Sequence, residues 1–200
     1  MALIDEELIV VERFTMAMDN GDYYRRFLSG DKEGMEELIA YYRKGLMLYL
    51  LSITGNIDQA EDFAEDTFLE LYVNRPVFTG ESSFKTWLYS IGRHKANRFF
   101  RRKARFEFVP YNDDCVEQKV MSLEEAYIKD QERIALHKAI SALKKQQRQV
   151  IYLSYFECLK NEEIAQIMRK STRQIENLLY YAKKCLREEL ERMGYTHGQR

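Results

Sequence analysis

The chain reads as an all-α protein: two small helical domains joined by a flexible linker, the second containing a helix-turn-helix. Three observations predict this. Two prolines and nine glycines in 200 residues favour helices and short turns over the punctuated strands of an all-β fold. Apolar residues recur at helical spacing through most of the chain. The periodicity lapses over residues 106–122, where Pro110 and Asn112-Asp113-Asp114 make a polar, acidic linker.

Residues 1–26 read as an N-terminal extension. Its helix runs roughly from Asp5 to Met18, with Leu8, Val11, Phe14 and Met18 on one face, and Asn20-Gly21-Asp22 is a turn. After Ser29-Gly30-Asp31 a helix carries Leu38, Ile39, Tyr42, Leu46, Tyr49, Leu50 and Ile53, and Gly55-Asn56 stops it. Asp58 is expected to cap the next helix, Gln59–Val73. The inner face of that helix is Ala60, Phe63, Ala64, Thr67, Phe68 and Leu71. Its outer face is Glu61, Asp62, Glu65, Asp66 and Glu70, with no Lys or Arg between them. Such a face lacks the i,i+4 pairing of a solvated helix. It is either plain solvated surface or a docking face for a basic partner, since complementary fields steer association.

Arg75-Pro76 ends that helix, and a loop with Phe78 and Gly80 follows. Ser82 or Ser83 can cap a helix over Phe84–Arg105. Phe84, Trp87, Leu88 and Ile91 form its apolar stripe. Lys85, Arg93, Lys95, Arg98, Arg101, Arg102, Lys103 and Arg105 share the helix with Tyr89, Phe99 and Phe100. Basic residues interleaved with aromatics suit single-stranded nucleic acid, where charge follows phosphates and rings stack on unpaired bases. The competing reading makes the rings core, and Trp87, on the stripe, belongs to the core on that reading.

Helices resume at Ser122, whose Ser-Leu-Glu-Glu start resembles a capping box, and cover 123–140 and 146–157. Then Ile164, Ala165, Ile167 and Met168, a break at Arg169-Lys170-Ser171, and Ile175, Leu178, Leu179, Ala182 and Leu186 spell helix, tight turn, helix. Asn161 is expected to cap the first of these helices and Ser171 the second. The second begins with Thr172, Arg173, Gln174 and Asn177 and later turns basic at Lys183, Lys184 and Arg187. Such a helix can put its polar first turn into a major groove; an ordinary helical hairpin has the same spacing. Residues 194–200 read as a frayed tail.

Composition excludes several classes. No stretch approaches the roughly 20 apolar residues of a membrane span, and the acidic N-terminus lacks the basic start of a signal peptide. Cys115, Cys158 and Cys185 lack paired spacing, and His94, His137 and His197 are scattered. No metal, cofactor or disulfide framework is expected, and a reducing cytoplasm fits. An enzyme such as a nuclease would need a second cluster of metal-binding carboxylates or a His-based nucleophile, so no catalytic residue is assigned. Net charge is −1, distributed as −3 over residues 1–30, −6 over 31–80, +7 over 81–105, −5 over 106–135 and +6 over 136–200. Basic blocks are the footprint of nucleic-acid binding; the acidic blocks keep free-protein affinity for DNA poor.

The order of parts resembles the extracytoplasmic-function sigma factors of the bacterial sigma-70 family over residues 27–190. Asp58-Gln-Ala-Glu-Asp-Phe-Ala-Glu-Asp-Thr-Phe-Leu is similar to the family's polymerase-binding helix. Phe84-Lys-Thr-Trp-Leu-Tyr-Ser-Ile-Gly-Arg and its basic continuation are similar to the promoter-melting segment. Glu163-Ile-Ala, Ser171 and Leu186-Arg187 are similar to the promoter-binding helix-turn-helix. The resemblance implies a sigma region 2-like domain over 27–105, the linker over 106–122 and a region 4-like domain over 123–193. It implies polymerase binding by Asp58, Glu61, Asp62, Glu65 and Asp66. It gives minus-ten DNA to Phe78, Lys85, Trp87, Tyr89, Arg93, His94, Asn97, Arg98, Arg101 and Arg102, with Phe78 and Tyr89 trapping a flipped base. It gives minus-thirty-five DNA to Ser171, Thr172, Arg173, Gln174, Asn177, Lys183 and Lys184. The implied partners are core RNA polymerase (β′ clamp helices and β flap), promoter DNA and an anti-sigma factor, with no membrane insertion. The chain departs from the family at His94 for a common Asn, Arg98 for a common Asp, Lys144 for a usual Pro and Arg169 for a usual Gly. The competing function is a free-standing helix-turn-helix regulator, which has no use for the acidic helix or the melting segment.

Overall fold

The computed structural model describes residues 21–106 and 131–195. The expected helix Asp5–Met18, nearly all of the linker and the Ser122 cap lie outside the described residues. Among the described residues the chain is helical throughout, without strands.

Four helices make the first unit: α1 (Asp22–Leu28), α2 (Glu33–Thr54), α3 (Ile57–Asn74) and α4 (Phe84–Phe106). The sequence reading placed a turn at Asn20–Asp22; Gly21 supplies that turn with φ 89°, and α1 starts at once behind it. Tyr24 and Phe27 of α1 are buried against α2. The Tyr24 hydroxyl donates to the Pro76 carbonyl at 2.9 Å, pinning α1 over the α3–α4 loop. Burial, only partly opposed by Arg75, pushes that hydroxyl up to about 12.

The α2–α3 corner differs from the expected cap. Gly55 takes the left-handed conformation (φ 67°) that closes α2. Asn56 then sits extended, and its Oδ1 accepts from the Gln59 N–H at 2.9 Å. Asn56 is the cap, and Asp58 lies one residue inside the helix. The bond to the Gln59 N–H that a cap makes is taken by Asn56, and Asp58 already has its backbone in the helix. The inner face of α3 is buried as its spacing requires: Ala60, Phe63, Ala64, Thr67, Phe68 and Leu71. Tyr24, Tyr42, Phe78, Phe84 and Trp87 form an aromatic cluster between α1, α2 and α4, with ring centroids 5.3 to 5.7 Å apart.

The second unit comprises α5 (Gln131–Ala142), α6 (Lys145–Ile151), a π-helical turn (Tyr152–Phe156), α7 (Asn161–Met168) and α8 (Thr172–Arg192). Arg148 is buried and donates to the carbonyls of Ser141 (3.0 Å) and Leu143 (2.8 Å), closing the end of α5. Burial pulls its guanidinium below the usual arginine value. The α7 cap also differs from expectation: Lys160 is the extended residue and Asn161 the first helical one. The Lys160 N–H is satisfied by Glu163 Oε2 at 3.0 Å instead. Ser171 caps α8 as expected, accepting from the Gln174 N–H at 3.2 Å while its own N–H donates to Gln174 Oε1 at 2.9 Å. Arg169, in the turn, is left-handed at φ 53°.

The two units pack on each other: α4 lies along α7, and α2 contacts α6 and the π turn. Their buried residues form one cluster.

Replacing Asn56 by Ala should cost about 0.5–2 kcal/mol in urea unfolding, and Asp58→Ala a few tenths, because only Asn56 satisfies an α3 N–H. Equal losses at both positions would overturn the reassigned cap.

Candidate polymerase and nucleic-acid interfaces

The acidic face of α3 divides into paired and unpaired members. Glu61 and Glu65 face Arg43 at 3.9 and 3.8 Å. Glu70 accepts from Asn74 Nδ2 at 2.9 Å and Lys95 Nζ at 3.1 Å, and those bonds hold its carboxyl below the usual value. Asp58, Asp62 and Asp66 are exposed and have no partner among the described residues. Beyond them the same surface turns apolar. Leu69, Tyr72 and Val73 are 56, 53 and 63 % exposed, and Asp62, Asp66, Leu69 and Val73 recur at helical i,i+4,i+7,i+11 spacing. The sequence reading missed this apolar half. The spacing carried the signal, but outward apolar residues read as ordinary helix content until burial is known.

On α4 the aromatic residues divide by depth. Phe78 and Trp87 are half-buried in the aromatic cluster, with centroids 5.3 Å apart. Tyr89, expected to trap a flipped base, is only 1 % exposed, with its ring stacked on Tyr49 at 5.5 Å. Burial and then the neighbouring Glu157 raise its phenol well above the usual tyrosine value. Tyr89 presents no ring to a base in this arrangement: the ring lies on Tyr49 of α2 and the hydroxyl is beside Glu157 of the second unit. Lys85 is likewise engaged: its ammonium pairs with Glu157 Oε2 at 2.6 Å and donates to the Glu157 carbonyl at 3.1 Å. Further along α4, Arg93 and Asn97 are half-exposed, and His94, Arg98, Arg101 and Arg102 are exposed.

The start of α4 is gripped by α7. Ser83 caps α4 through its hydroxyl, which accepts from the Thr86 N–H at 3.3 Å. The same hydroxyl donates to Glu163 Oε1 at 2.7 Å, and the Thr86 hydroxyl donates to that oxygen at 3.2 Å. A carboxylate here meets the positive end of the α4 dipole. Burial pulls the Glu163 carboxyl up, but the bonds from Ser83, the Lys160 N–H and Thr86 outweigh it and hold it below the ordinary carboxylate value. Gly45 of α2 completes the contact: a Cβ there would fall 2.5 Å from both Glu157 Oε1 and the Tyr89 hydroxyl oxygen.

On α8, Ser171, Arg173, Gln174, Asn177, Lys183 and Lys184 are exposed and Thr172 is half-buried. Lys184 lies eleven residues beyond Arg173, about three turns, and so shares its face. Lys183 points elsewhere, its Nζ 5.1 Å from the centre of the Tyr155 ring. Tyr180 and Tyr181, 66 and 56 % exposed, continue the face from Asn177. The sequence reading gave them no role.

Residues 38–106 match the family model described as Sigma-70 region 2, and residues 133–186 match Sigma-70, region 4. Among curated relatives, the RNA polymerase sigma factor YlaC of Bacillus subtilis is 28 % identical over 80 % of this chain and 93 % of its own length. The ECF RNA polymerase sigma factor SigW of the same organism is 25 % identical over 80 % and 91 %. Two solved structures share the fold at a TM-score of 0.59. The sigma factor RpoE, crystallised with the anti-sigma factor NepR from Bartonella quintana, is 22 % identical over 78 % of this chain and 96 % of that one. CnrH, in complex with the cytosolic domain of CnrY, is 21 % identical over 86 % and 97 %.

Two outcomes test the contact between the units. Lys85→Ala should cost about 1.5–3 kcal/mol in urea unfolding by stranding Glu157, while the Lys85→Met/Glu157→Gln double variant should cost less. Because the Glu163 carboxyl is held down in the folded chain, the stability it adds is complete above its ordinary value and is lost as pH falls through the lowered folded one. Wild type should therefore lose inter-unit contact, read by energy transfer between labels on α3 and α8, over an acid interval below about pH 4.5. Glu163→Gln should lack that step.

Proposed function

The chain belongs to the sigma-70 family as an extracytoplasmic-function type sigma factor, and on that premise we propose how its surfaces divide the work of promoter-specific transcription initiation. The observation that carries the reading is the separation of unpaired charge within the first unit. Asp58, Asp62 and Asp66 stand free on α3, while the α4 arginines stand free on another face. The α3 stripe, acidic and then apolar through Leu69 and Val73, is the docking face for the clamp helices of the polymerase β′ subunit. Acidic residues steer the encounter, and the apolar end supplies contact area.

The outer face of α4 meets the minus-ten element, with Arg93, Asn97, Arg98, Arg101 and Arg102 on phosphates and base edges. Phe78, half-exposed at the loop, is the ring available for stacking on an unpaired base. Tyr89 joins it only after the second unit moves away. The first turn of α8, Thr172, Arg173, Gln174 and Asn177, reads the minus-thirty-five element, and Lys184 tracks the backbone. Region 2-like and region 4-like domains meet between residues 106 and 122. The role is regulatory rather than enzymatic, and its place is the cytoplasm with the polymerase. No helix among the described residues is long and apolar enough to cross a membrane. A dedicated anti-sigma factor belongs to the same reading.

Purified protein added to core polymerase should yield promoter-specific transcripts. Asp62→Lys/Asp66→Lys should slow association with core and flatten its salt dependence while leaving the fold intact. Unchanged core affinity would remove the docking face from α3. Arg173→Ala should alter which minus-thirty-five sequences holoenzyme selects, by about 1–3 kcal/mol per lost bidentate contact. Lys184→Ala should weaken all sequences alike and reduce the salt slope by about one.

A further inference from the structure

Where α4 passes α7, the packed units enclose an open-sided cavity of about 300 Å³. Arg93, Arg98, Arg101, Arg102 and Arg105 line it from α4, and Arg169 lines it from the turn between α7 and α8; no carboxylate lines it. Several other cations of the first unit are neutralised: Arg26 by Asp31 and Glu37, Lys85 by Glu157, Lys95 by Glu70. None of these six arginines has a partner among the described residues, and the Nε of Arg93 is buried with no acceptor. Charges of one sign repel more strongly where protein replaces water. Arg93 is half-buried and the other five are exposed, so solvent screens part of that repulsion, and an anion seated among them would offset the rest. Arg169 deepens this feature, since it holds a left-handed conformation (φ 53°) in which glycine would be unstrained.

We propose that this cleft binds a chain of condensed phosphates, bridged by guanidinium groups from both units, and that the bound anion holds the chain closed. Guanidinium forks match phosphate oxygens two at a time, and several phosphates in series suit several arginines in a row. Duplex DNA does not fit the closed cleft. Reading DNA requires a groove about 12 Å wide to receive the helix, and α7 already covers this side of α4. The inference goes beyond the promoter reading. The same α4 arginines serve DNA once the units part, so anion and promoter exclude each other. The phosphate chain could come from inorganic polyphosphate or from the tail of a nucleotide.

The test titrates full-length protein with sodium tripolyphosphate and with a nucleoside triphosphate at constant ionic strength, with sodium sulfate as control. Binding is followed by calorimetry and closure by small-angle scattering. Tripolyphosphate should bind at least about tenfold tighter than sulfate and reduce the radius of gyration. Arg169→Gly, which removes the guanidinium and the backbone strain together, should keep or raise the melting temperature. It should lose about tenfold in tripolyphosphate affinity, as should Arg101→Ala. A nucleoside triphosphate equal to tripolyphosphate assigns the site to the phosphate chain alone; a tighter one assigns it to a nucleotide. Wild-type affinity in Arg169→Gly would overturn the proposal, because the anion would then need only α4. Equal affinity for sulfate and tripolyphosphate would overturn it as well. Failure of promoter-specific transcription, assayed without added phosphate, would instead remove the sigma reading and leave this titration standing.

Discussion

The arrangement of the whole chain depends on two carboxylates of the second unit set against the beginning of α4. Glu163 takes the hydroxyls of Ser83 and Thr86, and Glu157 takes the Lys85 ammonium. The contact is polar, short-ranged and built around a helix N-terminus, where negative charge is favoured. These polar contacts sit beside an apolar cluster that runs through both units. They specify one relative placement without making it permanent. The π turn is part of the device: it widens the backbone just ahead of Glu157 and lets α2, α6 and the turn meet.

Placement and charge are linked. The contact neutralises the first lysine of α4 and leaves the later arginines bare. It also sets Glu157 beside the buried Tyr89 hydroxyl, so the start of α4 is engaged while a cationic cleft lies further along it. On α3 the opposite holds, since among the described residues three aspartates and an apolar stripe face outward without cover. A chain built this way leaves the outer face of α3 open among the described residues while the start of α4 is occupied. That is the spatial form of the alternating charge blocks visible along the sequence.

Much of this was legible before any coordinates. Helix periods placed α2, α3, α4, α7 and α8, and Ser171 followed by Gln174 announced the α8 cap. Two caps were assigned one or two residues late, at Asp58 and Asn161. The true caps were Asn56, hidden behind Gly55, and Lys160, whose backbone alone does the work through Glu163. Composition at a helix start cannot distinguish the residue that is extended from the one already helical. The burial of Tyr89 was missed for a different reason. An aromatic ring off the apolar stripe reads as exposed when only its own helix is considered, whereas this ring lies on Tyr49 of α2 and its hydroxyl beside Glu157, neither of which the spacing along α4 reveals. The apolar end of the α3 stripe had the right period but the opposite ambiguity. Period gives a face, and only tertiary packing says whether that face is inside.

The missing side chain at Gly45 has a genetic consequence. A methyl group there meets the ends of Glu157 and Tyr89 rather than any backbone atom. It would displace the acidic grip and with it the end of the buried Tyr89 side chain. Where two placements of a chain differ by only a few kcal/mol, one such methyl can invert their populations. Position 45 is thus a point where a single, uncharged substitution acts on the placement of the two units through the side chains of Glu157 and Tyr89.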